Sequence, residues 1–234
     1  MIPRRRFLQT LTMFALGGLA STACQPAEAA LAPRRLRYVA LGASDSVGVG
    51  AGSPDRESWP AVLHRKLPGG SELVNLGVSG SLIQQALDQQ LPVAIDSDPD
   101  LVTVWLAVND YGARVPLPRY ASDLDLLLKT LREQTRATIL VGNVPDLSQL
   151  PVAARFDLRD IERWNRAISE LTSRHGAILV DLRAAWNAVA QHPEYISSDG
   201  FHPSTTGYQR LADLFYAAAA EPLQLTQPAA RPAS

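Results

Sequence analysis

From Leu36 onward, short apolar runs alternate with stretches whose apolar residues recur at helical spacing. Arg37–Leu41, Leu73–Leu76, Leu101–Leu106, Ile139–Val141 and Ile178–Leu182 are predicted as strands. The third of these, Leu-Val-Thr-Val-Trp-Leu, is apolar along its length, as expected of a strand covered on both faces. Between the strands the pattern predicts helices. Pro60 suits a first helical turn, with Val62, Leu63 and Leu67 as the apolar stripe and Pro68-Gly69-Gly70 as the stop. Further helices are predicted over Leu82–Leu91, around Leu124–Leu131, over Ile161–Leu171, and around Ala184–Ala190 and Thr205–Ala220. Parallel neighbours need helical crossovers, so five strands separated by helices predict one α/β domain with a doubly wound parallel sheet, over residues 34–222. The tail from 223 to 234 is rich in Pro and Ala and is expected to be disordered.

The first 30 residues do not fit that alternation. Arg4, Arg5 and Arg6 precede an apolar stretch from Leu11 to Ala23, and small residues follow. This is the layout of an export signal and is set aside from the fold. Arg4-Arg5-Arg6-Phe7-Leu8-Gln9 also resembles a twin-arginine signal, with Pro3 where Ser or Thr is usual. Two processing sites compete. Ser21-Thr22-Ala23-Cys24 looks like a loose lipobox, in which Cys24 would be lipidated and lead the mature chain. Ala27-Glu28-Ala29 would instead release a soluble protein. The expected location is periplasmic, envelope-anchored or extracellular, with a membrane tether only through Cys24.

Composition narrows the chemistry. The 234 residues carry 22 basic and 23 acidic side chains, a net charge of -1, with no basic footprint for nucleic acid. A single cysteine cannot form an internal disulfide or a multi-cysteine metal site. Mean hydropathy is -0.04, and no apolar run reaches the roughly 18 residues of a membrane span. A soluble monomer without metal or cofactor is expected.

In doubly wound sheets, ligands bind beyond the carboxyl ends of the strands. The unusual residues cluster there. Gly42-Ala43-Ser44-Asp45-Ser46-Val47-Gly48 follows the first predicted strand, Gly77-Val78-Ser79-Gly80 the second, and Ala107-Val108-Asn109-Asp110 the third. Ser198-Asp199-Gly200-Phe201-His202-Pro203 precedes the last helix.

Each block also has an ordinary structural role. Ser44 could cap a helix. The segment has no Walker lysine, and neither Gly42-x-Ser44-x-Ser46 nor Gly77-x-Ser79-x-Ser81 completes the nucleophile elbow G-x-S-x-G. A serine hydroxyl needs a base, and the base needs an orienting carboxylate, which Asp199 and His202 could supply from one turn. His64, His175 and His192 are rival bases. The first two lie in helical contexts away from the carboxyl edge, and His192 lacks an acid ahead of it at that spacing. Gly80 and Asn109 could donate hydrogen bonds to a developing oxyanion, or could simply form turns.

Taken in order, the four blocks resemble the SGNH/GDSL hydrolase family, over about Tyr38 to Tyr208, and Trp59-Pro60 fits that resemblance too. The resemblance implies a three-layer α/β/α, flavodoxin-like fold and a serine hydrolase cleaving carboxylic esters. It implies Ser44 as nucleophile, Asp199 and His202 as its base pair, and Ser44 N–H, Gly80 and Asn109 as the oxyanion hole. Two positions depart from the family's pattern: Ala43 replaces the acid of G-D-S-L, and Ala107 replaces the glycine of G-x-N-D. Asp45 and Asp110 are the acids nearby that could brace the first turn instead. The family includes esterases, lipases, thioesterases and carbohydrate deacetylases. A small acyl or acetyl ester is the expected substrate, and export favours envelope or external esters. Pro145–Asp157, rich in Pro and small residues, could line the acyl pocket. An acyltransferase using the same residues, or a non-catalytic envelope-binding protein, are the other classes this sequence could encode.

Overall fold

Strands β1 (Arg37–Gly42), β2 (Glu72–Asn75), β3 (Leu101–Trp105), β4 (Thr138–Gly142) and β5 (Ile178–Val180) form one all-parallel sheet in the order β2-β1-β3-β4-β5. The computed structural model describes residues 35–153, 158–185 and 192–225. The segment expected to be an export signal, with Cys24, residues 186–190 of the helix expected around Ala184–Ala190, and the tail from 226 lie outside the described residues.

Alternate strand residues feed two cores, which is why the central strands carry almost no polar positions. On one face Val39, Leu41, Val102, Val104, Ile139 and Val141 pack against helices α4 (Ile83–Gln89), α5 (Leu91–Asp96), α7 (Leu117–Gln134) and α8 (Ile161–Arg174). On the other, Tyr38, Ala40, Leu101, Trp105 and Leu140 meet α3 (Trp59–His64) and α10 (Thr205–Ala220). There Trp59 stacks on Phe215 at 4.3 Å between ring centroids, an aromatic pair worth about 1 kcal/mol beyond its buried area. Edge strand β2 is only partly covered, and its pattern is correspondingly mixed.

Several boundaries differ from the expected ones. The helix expected over Leu82–Leu91 is α4, and a second helix, α5, follows it unpredicted. Pro92 has no N–H to donate to the preceding turn, so the ladder breaks beside Gln90. The fifth strand stops at Val180 instead of Leu182. The Asp181 carboxylate accepts the Ala184 N–H at 3.1 Å and turns the chain into α9 (Leu182–Ala185). With α5, four short helices went unread; the others are α1 (Ser44–Val47), α2 (Pro54–Glu57) and α6 (Ala107–Gly112). Among the described residues no helix is long and apolar enough to cross a membrane.

Candidate active site

Central strand β1 ends at Gly42, and Ser44 opens the one-turn helix α1 directly beyond it. Only glycine fits at 42, because a Cβ there would collide with the buried Ser46 side chain. The turn is braced by the acid that follows the serine. Asp45 Oδ1 accepts the Ala43 N–H at 3.3 Å and the Ser46 N–H at 2.6 Å. Thus the Asp45 side chain, one residue past Ser44, accepts backbone N–H groups of this turn, while the Ala43 side chain is only a methyl group. Asp110 acts elsewhere: its Oδ2 accepts the Ile83 N–H at 3.0 Å and fastens α4 to the segment after β3. Burial pushes both carboxyls up to about 6, against the pull of these backbone hydrogen bonds.

The loop before α10 brings the base. Gly200 N–H donates to Ser197 O at 3.0 Å, and Ser197 N–H donates to His202 O at 2.8 Å, closing the loop on itself. Inside it, Asp199 Oδ1 accepts the Ser197 hydroxyl at 2.8 Å and the Phe201 and His202 N–H groups at 2.8 and 2.9 Å. Asp199 Oδ2 lies 2.6 Å from His202 Nδ1. Burial opposes ionisation of Asp199, but these four donors outweigh it and hold its carboxyl well below the usual carboxylate range. With Asp199 ionised, Nδ1 carries the proton and Nε2 is left as an acceptor. His202 Nε2 sits 2.9 Å from Ser44 Oγ, across 158 residues of sequence.

Two contacts join this loop to the Ser44 side. Tyr208 on α10 donates its hydroxyl to Val49 O at 2.6 Å. Thr205, at the start of α10, donates to Glu57 Oε2 at 2.9 Å and accepts the Gly52 N–H at 3.0 Å. The rival histidines are committed elsewhere. His64 Nε2 lies 2.8 Å from Ser71 O, His175 Nε2 2.9 Å from Asp125, and His192 Nδ1 2.9 Å from Glu194.

The remaining candidates gather beside Ser44. Gly80 occupies the left-handed corner (φ +79°) of a turn closed by Ser81 N–H to Val78 O at 2.9 Å, a backbone shape that favours glycine. Asn109 lines the same cleft as Ser44 and His202, and its Nδ2 donates to Ser81 O at 3.1 Å. One of its two amide protons is thereby used and one is left. Neither the Ser44 nor the Gly80 N–H has an acceptor among the described residues.

The cleft is walled mainly by apolar groups: Trp105, Leu106, Pro145, Leu147, Leu150 and Phe201. Pro145, Leu147 and Leu150 come from the segment expected to line an acyl pocket, of which residues 154–157 lie outside the described residues. An apolar slot with a hydrogen-bonded hydroxyl, imidazole and carboxylate at its mouth can hold an acyl group and attack its carbonyl.

Sequence reasoning missed a buried amide. Gln90 is 2 % exposed, and its side chain bonds both polar backbone atoms of Gly42. It lies in a segment with three other glutamines (Gln84, Gln85 and Gln89), and nothing in the sequence singles it out.

Comparison with known proteins bears on the family and the fold. The profile of the GDSL-like lipase/acylhydrolase family matches residues 40–210. An acetylxylan esterase of Geobacillus stearothermophilus is 23% identical over 164 residues, which are 62% of this chain and 71% of that protein. The crystal structure of an acetylxylan esterase from the same organism superposes with a TM-score of 0.65 at 18% identity, covering 86% of this chain and 99% of the other. A lipase/acylhydrolase from Enterococcus faecalis gives 0.67 at 17% identity, covering 83% and 100%. At these identities the structural likeness speaks for the fold.

Proposed function

This chain belongs to the GDSL-like lipase/acylhydrolase family and is a carboxylic ester hydrolase, and we propose that it works through an acyl-enzyme formed on Ser44. The observation that carries the proposal is the unbroken hydrogen-bonded relay from Ser44 Oγ through His202 to Asp199, at the mouth of an apolar cleft. His202 Nε2 takes the hydroxyl proton as Ser44 Oγ bonds to the ester carbonyl carbon. Asp199 holds the imidazole in the required tautomer and stabilises it once charged. The carbonyl oxygen, now negative, is met by the Ser44 and Gly80 N–H groups and the free amide proton of Asn109. Collapse breaks the bond to the alcohol, which leaves with the proton from His202. Water then repeats the sequence on the acyl-enzyme and releases the acid.

The apolar wall supports esters with the acyl group seated against Leu147, Leu150 and Phe201. The acetylxylan esterase relative makes acetylated xylo-oligosaccharides the natural comparison substrate. The arginine-led apolar N-terminus supports an exported enzyme acting on envelope or external esters, tethered if Cys24 is acylated.

The test is turnover of p-nitrophenyl acetate, butyrate and octanoate and of acetylated xylo-oligosaccharide, by the wild type and Ser44→Ala. Hydrolysis of at least one ester, lost in the variant, is expected. Near-wild-type turnover by Ser44→Ala would overturn the mechanism.

A further inference from the structure

Strand β1 runs past the end of its ladder with β2: the last of those pairs is Ala40 with Asn75, while Gly42 still faces Trp105 of β3. On the side that β2 has vacated, Gly42 O accepts the Val78 N–H at 3.2 Å. Its N–H would be a buried donor without a partner, which costs on the order of a full hydrogen bond. The Gln90 side chain fills that gap. Its Oε1 accepts the Gly42 N–H at 3.0 Å and its Nε2 donates to Gly42 O at 3.0 Å, as the backbone of a neighbouring strand would. The second Nε2 proton goes to Ser81 Oγ at 3.2 Å. These contacts fix which end of the amide is which, since a flipped amide would set oxygen against oxygen and nitrogen against nitrogen.

We propose that Gln90 is a positioning residue for the oxyanion hole, clamping the end of β1 to the Gly80 turn so that the three donors keep one geometry. This rests on reading Ser44 as the nucleophile of ester hydrolysis. On one side the clamp grips Gly42, two residues before Ser44. On the other it grips Ser81, next to Gly80, and Ser81 O in turn holds the Asn109 amide at 3.1 Å. Each donor therefore lies within two residues, or one hydrogen bond, of a residue that Gln90 touches. Such a shell matters because donors aimed a fraction of an ångström wrong lose much of their stabilisation of a developing charge.

Two substitutions separate positioning from packing. Ser81→Ala cuts the link from Gln90 to the Gly80 turn, along with the long 3.3 Å bond from the Ser81 hydroxyl to Leu82 O, and Gln90→Met removes all three bonds of the amide at similar volume. Both are assayed for kcat and KM on a p-nitrophenyl ester, alone and combined with Asn109→Ala. Expected are losses in kcat of about 3–10-fold for Ser81→Ala and about 10–100-fold for Gln90→Met, with KM within about twofold. In the Asn109→Ala background, Ser81→Ala should cost clearly less, because the donor it positions is gone. Ser81→Ala carries the test if Gln90→Met fails to fold. Unchanged kcat in Ser81→Ala, or losses that multiply in full with Asn109→Ala, would overturn the clamp while leaving the esterase reading intact. A wild type without ester turnover would overturn that reading and the clamp with it.

Discussion

The two halves of the site are built in opposite ways. Ser44, Gly80 and Asn109 stand beyond the carboxyl ends of three neighbouring strands, β1, β2 and β3, held by buried groups: Gln90, Ser81 and Asp110 are all 2 % exposed or less. His202 and Asp199 stand on a loop whose bonds are nearly all internal, with side chains 18% and 42% exposed. The strand end takes its geometry from the sheet and from residues far away in sequence. The loop supplies its own geometry, because one carboxylate serves three donors within six residues, Ser197 to His202, and still faces the imidazole. The Ser44 corner is thus a product of the fold, and the Asp199–His202 loop is a local device docked onto it through Tyr208 and Thr205.

Proton linkage differs between the halves as well. Asp110 and Asp45 have carboxyls raised from 3.8 to about 6, so their contribution to stability is fully present below about 3.8 and lost as pH rises through about 6. Asp199 is shifted down, so its contribution is present above the ordinary carboxylate range and is lost as pH falls through its lower folded value.

The sharpest way to break the comparison is Asp199→Asn. The variant keeps the loop's size but donates where the carboxylate accepted, which favours the wrong imidazole tautomer, so kcat should fall by about 10³–10⁴-fold. A loss below tenfold would mean that the loop's backbone, not its carboxylate, orients His202. Next is Asn109→Ala, for which kcat should fall by about 100- to 1000-fold with KM little changed. A change confined to KM would place Asn109 in substrate binding instead. The smallest effect concerns the buried corner. Asp110→Asn keeps an acceptor for Ile83 N–H but removes the raised carboxyl. Wild type should gain on the order of 1–2 kcal/mol between pH 8 and pH 5 that the variant does not, a few degrees in Tm. The Tm difference, variant minus wild type, therefore grows with pH, and a constant difference would show Asp110 to be ordinary in its titration.

The same contrast explains what could be read from the sequence. The D-x-x-H turn was legible because its bonds are local, and Asp199, Gly200 and His202 lie within one short loop. The three inner strands were legible because burial on both faces leaves apolar runs, and the edge strands β2 and β5 because they keep short apolar stretches between turn residues. The overrun to Leu182 came from that same signal, since a buried helix start is as apolar as a strand end. The short helices α1 and α6 were hidden because their residues, Ser44-Asp45-Ser46-Val47 and Ala107-Val108-Asn109-Asp110-Tyr111-Gly112, carry chemistry instead of periodicity. The role of Gln90 was illegible for a different reason. Its partners are 48 and 9 residues away, and only the tertiary fold brings them to one amide.

The central claim is that Ser44 is the activated nucleophile. It is tested most directly by treating the full chain with a fluorophosphonate and mapping the adduct by peptide mass spectrometry. A single adduct on Ser44, abolished in Ser44→Ala and slowed in Asp199→Asn, is the outcome this geometry requires. An adduct on Ser79, or no labelling of a folded protein, would contradict it.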